Sequence, residues 1–177
     1  MIIVLGMDNT GKTTLCKELG KLNAVSVVKS CGPIDRDLQV DWVIEQIERA
    51  KQEQVVYDRF CIFEEIVYGE VLRKQSNFRL GNPIVSMLKG SKPLIVYCRP
   101  PSEVIFNSLP EREQMKGVEE QKNALLCAYD NLYFQLQGQG WNILSFDYNR
   151  HKAQAVMVGY SVHQLLSDGF LGGILDE

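Results

Sequence analysis

The sequence predicts an α/β fold, in which helices flank a doubly wound, five-stranded parallel sheet. Three observations lead to this prediction. Short apolar runs alternate along the chain with amphipathic helical patterns. The apolar runs are rich in β-branched residues, as expected for strands covered on both faces. A glycine-containing turn joins the first run to the first helical pattern, which is the usual connection between a strand and a helix in such folds.

The strands and helices follow from these patterns in chain order. We expect strands at 2–5, 25–29, 55–58, 94–98 and 143–146. We expect helices at 12–22, 38–52, 62–75, 83–88, 102–108, 118–137 and 152–168. The pair Asn82-Pro83 suits a helix start, with an N-cap followed by a proline in the first turn. Because ligands bind at the carboxyl ends of parallel strands, informative residues are expected just after each strand.

Length and composition favour one ordinary domain. The chain has 177 residues, of which 45% are hydrophobic and 23% charged, so we expect a single domain over 1–177. A net charge of −3 argues against nucleic acid as a partner. No apolar stretch approaches the roughly 18 residues of a membrane span, and the N-terminus lacks a basic signal-peptide region. The five cysteines are scattered without a C-x-x-C pair, which favours reduced thiols in a cytoplasmic protein.

The strongest motif is G-x-x-x-x-G-K-[ST], which residues 6–13 match. Glycines let the backbone turn tightly so that its N–H groups reach phosphate oxygens. Lys12 would place a positive charge on the β- and γ-phosphates, and the Thr13 hydroxyl would bind Mg²⁺. The helix that follows directs its positive end at the same anion. The residues expected to bind ATP are Gly6, Asn9, Thr10, Gly11, Lys12, Thr13 and Thr14.

Charged residues follow the first three strands. Asp8 lies inside the phosphate loop, where it either shapes an Asx-type turn or faces a second substrate. Lys29 and Arg36 follow the second strand and either grip an acceptor phosphate or are solvated surface charges. Asp58 ends the third strand. A carboxylate at this position is typical of one that binds Mg²⁺ or accepts a proton from an attacking hydroxyl. Arg59 next to it suits an acceptor phosphate, unless the two form a structural pair.

Further candidates follow the third and fourth strands. Phe60 and Tyr68 are candidates for an apolar slot that holds a planar base, although aromatic residues on helices are commonly core residues. Arg73 lies on the same helix and is a candidate for substrate binding. The polar stretch 109–117 suits a mobile lid, in which Arg112 or Lys116 would supply transition-state charge, with Arg112 as the candidate catalytic residue; the alternative is a solvated loop. Tyr129, on the long helix beyond, is a candidate for contact with the substrate sugar.

These motifs resemble the thymidylate kinase branch of the nucleoside monophosphate kinases, which have a P-loop NTPase-type fold. The resemblance rests on the phosphate loop at 6–14, on Asp58-Arg59-Phe60, and on the lid-like segment 109–117 before the Tyr129 helix. It implies phosphoryl transfer from ATP, with Mg²⁺, to dTMP or a related deoxynucleoside monophosphate. It also implies a homodimer and a location in a bacterial or phage-infected cytoplasm, since the compact chain looks like the phage-type relatives.

The resemblance also implies roles for particular residues. Asp8 looks like the loop carboxylate beside the acceptor sugar and phosphate. Arg59 looks like the arginine that holds the acceptor phosphate, and Tyr129 like the tyrosine near the deoxyribose. The chain departs from the family where Asn9 replaces a loop arginine and where residues 61–68 lack the usual serine and Ala-Tyr-Gln. These departures concern recognition of thymine and leave the residues for phosphoryl transfer in place.

Two other functions fit the same sequence. A deoxynucleoside kinase would need a carboxylate base near the 5′-hydroxyl, for which Asp58 and Glu64 are the candidates. A nucleotide-binding regulatory module would keep the phosphate loop and show little turnover. Release of ADP that depends on an acceptor distinguishes the enzymes from the module.

Overall fold

Five parallel strands form the centre of the molecule. A computed structural model describes residues 1–32, 34–108 and 116–157. The strands are β1 (Ile2–Leu5), β2 (Ser26–Lys29), β3 (Val55–Asp58), β4 (Leu94–Cys98) and β5 (Ile143–Phe146). Their order across the sheet is β2-β3-β1-β4-β5, and every adjacent pair is parallel. The expected doubly wound α/β sheet is confirmed, and β1 occupies its middle position.

Helices connect the strands. They are α1 (Lys12–Asn23), α2 (Arg36–Gln52), α3 (Cys61–Glu64), α4 (Glu70–Leu72), α5 (Pro83–Gly90), α6 (Ser102–Ser108) and α7 (Lys122–Gly138). A π-helical segment, Glu65–Gly69, lies between α3 and α4. Residues 153–157 are also helical, and the rest of the helix expected at 152–168 lies outside the described residues. No helix in the described ranges is long and apolar enough to cross a membrane.

Alternate residues of β1, β3 and β4 enter one of two hydrophobic clusters, one on each face of the sheet. Ile3 and Leu5 of β1 join the larger cluster, which includes residues from α2, α3, α5 and α7. Ile2 and Val4 join the smaller cluster, which α1 and residues 153–157 cover. Both faces of the sheet are therefore buried, which leaves the carboxyl ends of the strands as the open edge on which a site is expected.

Several helix ends differ from the expected ones by one or two residues, and two helices differ more. The segment 62–75 is not one regular helix, because the π-helical Glu65–Gly69 interrupts it and α4 ends at Leu72. The long helix expected from position 118 begins at Lys122, after a turn that includes Gly117 at φ +90°. Val118 is fully buried although it precedes the helix, which explains why its apolar side chain extends the amphipathic pattern by one turn.

Candidate active site

The phosphate loop leaves the carboxyl end of β1 at the centre of the sheet. Gly6 has φ +142°, and a Cβ atom there would lie 2.6 Å from the Cys98 carbonyl oxygen, so only glycine fits. The Thr10 hydroxyl donates to the Met7 carbonyl at 2.9 Å. The Lys12 ammonium donates to the same carbonyl, and its side chain is only 4% exposed. The loop is thus held by its own side chains in a compact turn, with the lysine directed inward.

A large cleft opens over this loop, and we call it the loop cleft. Its volume is about 1030 Å³, and it is lined by 8–15 together with residues from α1 and from the segment after β5. Gly11 caps α1 at φ +83°. The first backbone N–H groups of α1 have no partner within the helix and favour an anion. The cleft therefore contains the predicted phosphate-binding residues Gly11, Lys12, Thr13 and Thr14 on one wall.

Tyr148 forms part of the wall of the loop cleft, a role the sequence did not suggest. Its ring lies 2.9 Å from where a Gly11 Cβ atom would be, and it is 43% exposed. The turn that carries it is held by Asp147, whose side chain accepts from the Asn149 backbone N–H at 2.9 Å. The Asp147 backbone N–H in turn donates to His151 at 3.1 Å. An exposed ring at the edge of a phosphate site can contact a flat nucleotide base.

Asp58 and Thr13 meet at the end of β3. The Thr13 hydroxyl donates to Oδ2 of Asp58 at 2.7 Å. Oδ1 of Asp58 is buried and has no hydrogen-bond partner among the described residues. An unpaired carboxylate oxygen next to a hydroxyl suits Mg²⁺, because this hard cation prefers oxygen ligands. No group of three His, Cys, Asp or Glu side chains in the described ranges is placed for a metal, so nucleotide phosphates and water would complete the coordination.

Arg59 connects the phosphate loop to the helices after β3. Its guanidinium forms ion pairs with Asp8 and with Glu64. Its backbone lies in the left-handed region at φ +72°, which is strained for a residue with a Cβ and occurs often at functional sites. The Tyr68 hydroxyl donates to Asp8 at 3.0 Å, and the Tyr129 hydroxyl donates to Glu64 at 2.6 Å. Five side chains thus form one continuous network of charges and hydrogen bonds.

The network shifts the pKa values of its members in different directions. Burial raises the pKa of Asp8, but Arg59, Lys12 and the Tyr68 hydrogen bond outweigh burial and bring it below its ordinary value. Burial raises the pKa of Glu64 above its ordinary value, although Arg59 and Lys12 oppose this shift. Burial, followed by the charge of Arg59, lowers the pKa of Lys12. Two carboxylates that share Arg59 therefore titrate differently.

A second cleft of about 330 Å³ lies on the other side of Thr13 and Arg59, and we call it the β3 cleft. Thr13 and Arg59 line both clefts, so a molecule in one would meet a molecule in the other at these residues. The other residues that line the β3 cleft are Lys29, Ser30, Gly32, Gln39, Asp58, Cys61, Glu64, Glu65, Tyr68 and Arg73.

The π-helical segment shapes one wall of the β3 cleft. Glu65 is 5% exposed, forms an ion pair with Arg73 and accepts from the Asn77 backbone N–H at 3.2 Å. Gly69 packs so closely that a Cβ there would lie 2.9 Å from a Glu65 carboxylate oxygen. Such single π turns within α-helices are frequent at functional sites. Here the segment carries Glu65 and Tyr68, both of which line the cleft.

The structure brings most of the predicted site residues together. Asp8, Lys12, Thr13, Lys29, Asp58, Arg59, Tyr68 and Arg73 all line one cleft or both. The Asp8 carboxylate accepts from Arg59 and from the Tyr68 hydroxyl, and its contact with a second substrate stays a prediction.

Three predicted assignments need correction or fall outside the structure. Phe60 is fully buried and packs on Trp42 and Tyr57, with ring centroids 5.1 and 5.3 Å away, so it is a core residue and offers no face to a base. Arg36 is exposed, lies 6.0 Å above the Phe78 ring and does not line either cleft. Arg112 lies outside the described residues, as do positions 109–115 of the lid expected at 109–117.

Two residues after the fourth strand act within the protein. Tyr129 is 1% exposed and reaches the β3 cleft only through its hydrogen bond to Glu64, not through a face of its own. Arg99 directly follows β4 and forms two hydrogen bonds with Asp130 of α7, at 2.9 and 3.2 Å. Tyr97 donates to the same carboxylate. Arg99 therefore joins the sheet to α7 and does not face the phosphate loop.

Comparisons with solved structures place the fold. The YorR protein from Bacillus subtilis, in complex with phosphorylated GDP, has 18% identity and a TM-score of 0.64 over 94% of this chain and 95% of that one. Deoxyadenosine kinase from M. mycoides, with products dCMP and a flexible dCDP bound, has 15% identity and a TM-score of 0.55 over 94% and 98%. Shikimate kinase from Acinetobacter baumannii, in complex with shikimate, has 16% identity and a TM-score of 0.51 over 95% and 93%.

These likenesses show that the chain has the fold of the P-loop kinases. A scan against protein-family models finds no match, and a search of curated protein sequences finds none either. The identities are low, so the comparisons establish the fold, and the residues of the two clefts carry the argument about function.

Proposed function

We propose that the protein transfers the γ-phosphoryl group of ATP to a deoxynucleoside 5′-monophosphate, dTMP or a related nucleotide. The single observation that carries this proposal is the pair of clefts that meet at Thr13 and Arg59. The loop cleft has the residues for a triphosphate, and the β3 cleft has room and charge for a second nucleotide. Reactants held in this way become effectively intramolecular, which lowers the barrier to transfer.

The proposed reaction needs positioning and charge more than proton transfer. The ATP phosphates bind the loop backbone and Lys12, and a phosphate oxygen of the acceptor attacks the γ-phosphorus in line. A new P–O bond forms as the bond to the β–γ bridging oxygen breaks, and ADP leaves. Arg59 gives up its ion pair with either Asp8 or Glu64 and binds the acceptor phosphate instead. Thr13 and Asp58 are the residues that would hold Mg²⁺, which supplies positive charge to the β- and γ-phosphates.

The neighbouring carboxylates favour a second candidate, a deoxynucleoside kinase. Glu64 lines the β3 cleft, is paired with Arg59, and has a pKa raised by burial. A carboxylate of this kind suits a general base that accepts the proton of a 5′-hydroxyl. The structure of M. mycoides deoxyadenosine kinase contains the products dCMP and dCDP. That protein therefore binds both a nucleoside monophosphate and a nucleoside diphosphate.

The test is ADP production with ATP and Mg²⁺, screened over the common nucleosides and their 5′-monophosphates. Turnover with one or more deoxynucleoside monophosphates supports the proposal. Turnover with nucleosides alone replaces it with the deoxynucleoside kinase. The absence of any acceptor-dependent ADP release would instead favour a nucleotide-binding module. The homodimer and the cytoplasmic location stay predictions, which light scattering and cell fractionation would test.

A further inference from the structure

The β3 cleft contains most of the unpaired buried polar atoms in the described part of the chain. Four such side-chain atoms lack a hydrogen-bond partner among the described residues: Ser30 Oγ, Gln39 Oε1, Asp58 Oδ1 and Asn142 Nδ2. Three of the four belong to residues that line the β3 cleft. A buried polar atom without a partner costs free energy in the folded protein. Their concentration at one cleft indicates that a ligand supplies the missing partners.

The proposed mechanism does not use Gln39. Of the atoms that it leaves unused in this cleft, Gln39 Oε1 is the one whose orientation is fixed. Its side chain is 1% exposed, on the first turns of α2. Its amide Nε2 donates to the Gly32 carbonyl at 3.2 Å. Because that carbonyl only accepts, the amide must turn its Nε2 toward Gly32, and Oε1 is left as an acceptor. The residue therefore offers one buried acceptor to whatever enters the cleft.

An acceptor oxygen selects a donor and disfavours a phosphate. Arg59, a cation that suits a phosphate, lines both clefts together with Thr13, whereas Lys12 lines the loop cleft and Lys29 the β3 cleft. Gln39 instead shares the cleft with Glu65, whose carboxylate is already bound by Arg73 and by the Asn77 N–H. In a nucleotide whose phosphate lies at Arg59, the group that carries N–H donors is the base.

We propose that Oε1 of Gln39 accepts a hydrogen bond from an N–H of the acceptor's base, so that Gln39 determines base specificity. This inference rests on the proposed function, since it requires a nucleoside or nucleotide in the β3 cleft. It adds a residue that recognises the base to those that bind phosphate. A site built around such a bond discriminates strongly against an analogue that lacks the donor, because the buried acceptor is then left unpaired.

The experiment combines two Gln39 variants with matched acceptors. Gln39→Met has similar size and no acceptor, and Gln39→Glu keeps an oxygen acceptor. Each acceptor that the wild-type protein phosphorylates is compared with an analogue lacking the donor: dTMP with N3-methyl-dTMP, and dAMP with the purine deoxyriboside monophosphate that lacks the 6-amino group. A 3′-deoxy analogue of the same nucleotide tests the sugar. Gln52→Met, an exposed position on the same helix, is the control.

The readout is the ratio of kcat/KM for the parent acceptor to that for its analogue. We expect the wild-type protein and Gln52→Met to prefer the parent by roughly tenfold or more. In Gln39→Met the preference should fall to within about threefold. The variant has no acceptor, so removing the donor from the base costs no further hydrogen bond. Gln39→Glu should retain most of the preference, and the KM for ATP should stay unchanged in all variants.

Two results would overturn the inference while leaving the proposed function intact. One is an equal loss of kcat/KM for parent and analogue in Gln39→Met, which indicates a purely structural glutamine. The other is a loss of preference only against the 3′-deoxy analogue, which would assign Oε1 to the sugar. If the wild-type protein phosphorylates no nucleoside or nucleotide, the proposed function fails and this inference fails with it.

Discussion

The Thr13 hydroxyl donates a 2.7 Å hydrogen bond to Oδ2 of Asp58, joining the start of α1 to the end of β3. The other oxygen of Asp58 is buried without a partner among the described residues. The two residues are 45 positions apart in the sequence. They meet because β3 lies directly beside β1 in the sheet. Sheet order thus creates the part of the site that suits a divalent cation.

Asp58→Asn tests this arrangement. The amide oxygen can still accept from Thr13, but the negative charge is lost, so we expect kcat to fall by roughly 100-fold or more. The Mg²⁺ concentration needed for half-maximal turnover should rise as well. Asp41→Asn, at an exposed position on α2, should change neither value. Turnover within a few-fold of the wild-type rate at unchanged Mg²⁺ dependence would remove Asp58 from the metal site.

Lys12→Met should separate catalysis from stability. Turnover should fall by roughly 100-fold or more, because charge stabilisation of the transferred group is lost. Burial lowers the pKa of Lys12 in the folded protein, with Arg59 adding to the effect, so the charged lysine costs free energy of folding below that lowered pKa. The cost disappears as the pH rises toward the unfolded value of about 10.4.

We therefore expect Lys12→Met to be more stable than the wild-type protein at pH 7, and the gain to shrink near pH 10. Urea unfolding at the two pH values measures both quantities. Lys17→Met, on the exposed face of the same helix, should leave stability and turnover nearly unchanged. A Lys12→Met protein that is less stable at pH 7 would show that the contact of Lys12 with Met7 outweighs the burial of its charge.

Asp8→Asn should change the response to acid. The pKa of Asp8 is below its ordinary value in the folded protein, since Arg59, Lys12 and Tyr68 together outweigh burial. The carboxylate therefore stabilises the fold above its unfolded pKa of about 3.9, and this contribution is lost as the pH falls through the lower folded value. The stability difference between wild-type and variant proteins should be large at pH 6 and smaller at pH 3, as urea midpoints would show. A difference that does not depend on pH would contradict the pairing.

Tyr148→Ala tests the wall of the loop cleft. Stacking of an aromatic ring on a base contributes about 1–3 kcal/mol in nucleic-acid complexes, so we expect the KM for ATP to rise roughly tenfold. The kcat should change little, because the phosphates and Lys12 are untouched. Tyr148→Phe keeps the ring and should behave like the wild-type protein. An unchanged KM in Tyr148→Ala would place the base of ATP elsewhere.

The sequence predicts the site best where chemistry is local. The phosphate loop and Asp58-Arg59 were identified because short motifs follow apolar strands, and the structure places them together. Phe60 was assigned wrongly because an aromatic residue after a strand has no pattern that distinguishes a base slot from a core position. The position of Tyr148 beside Gly11 depends on a contact between residues distant in sequence, and the bond of Gln39 to Gly32 depends on the loop before α2; no periodicity reveals either.

The fold was predictable to a similar degree. Four of the five strands have the expected limits, since β-branched runs between turns leave few alternatives, and only β2 begins one residue later at Ser26. The interruption after Glu64 was not predictable, because 62–75 has ordinary helical composition throughout. Tertiary contacts decide it: Glu65 is buried against Asn77 and paired with Arg73, which fixes the backbone in a π turn.

That π turn makes the length of Glu65–Gly69 as important as its composition. A chain lacking one residue there, for example Ile66, would return to regular α-helical hydrogen bonding and keep its hydrophobic character. Each residue of an α-helix advances about 100° around the axis, so Glu65 and Tyr68 would no longer face the same cleft. Conservative substitutions at Ile66 or Val67 should be tolerated, whereas deletion of either residue should not. The shape of the β3 cleft therefore depends on an angular offset between two halves of one helix.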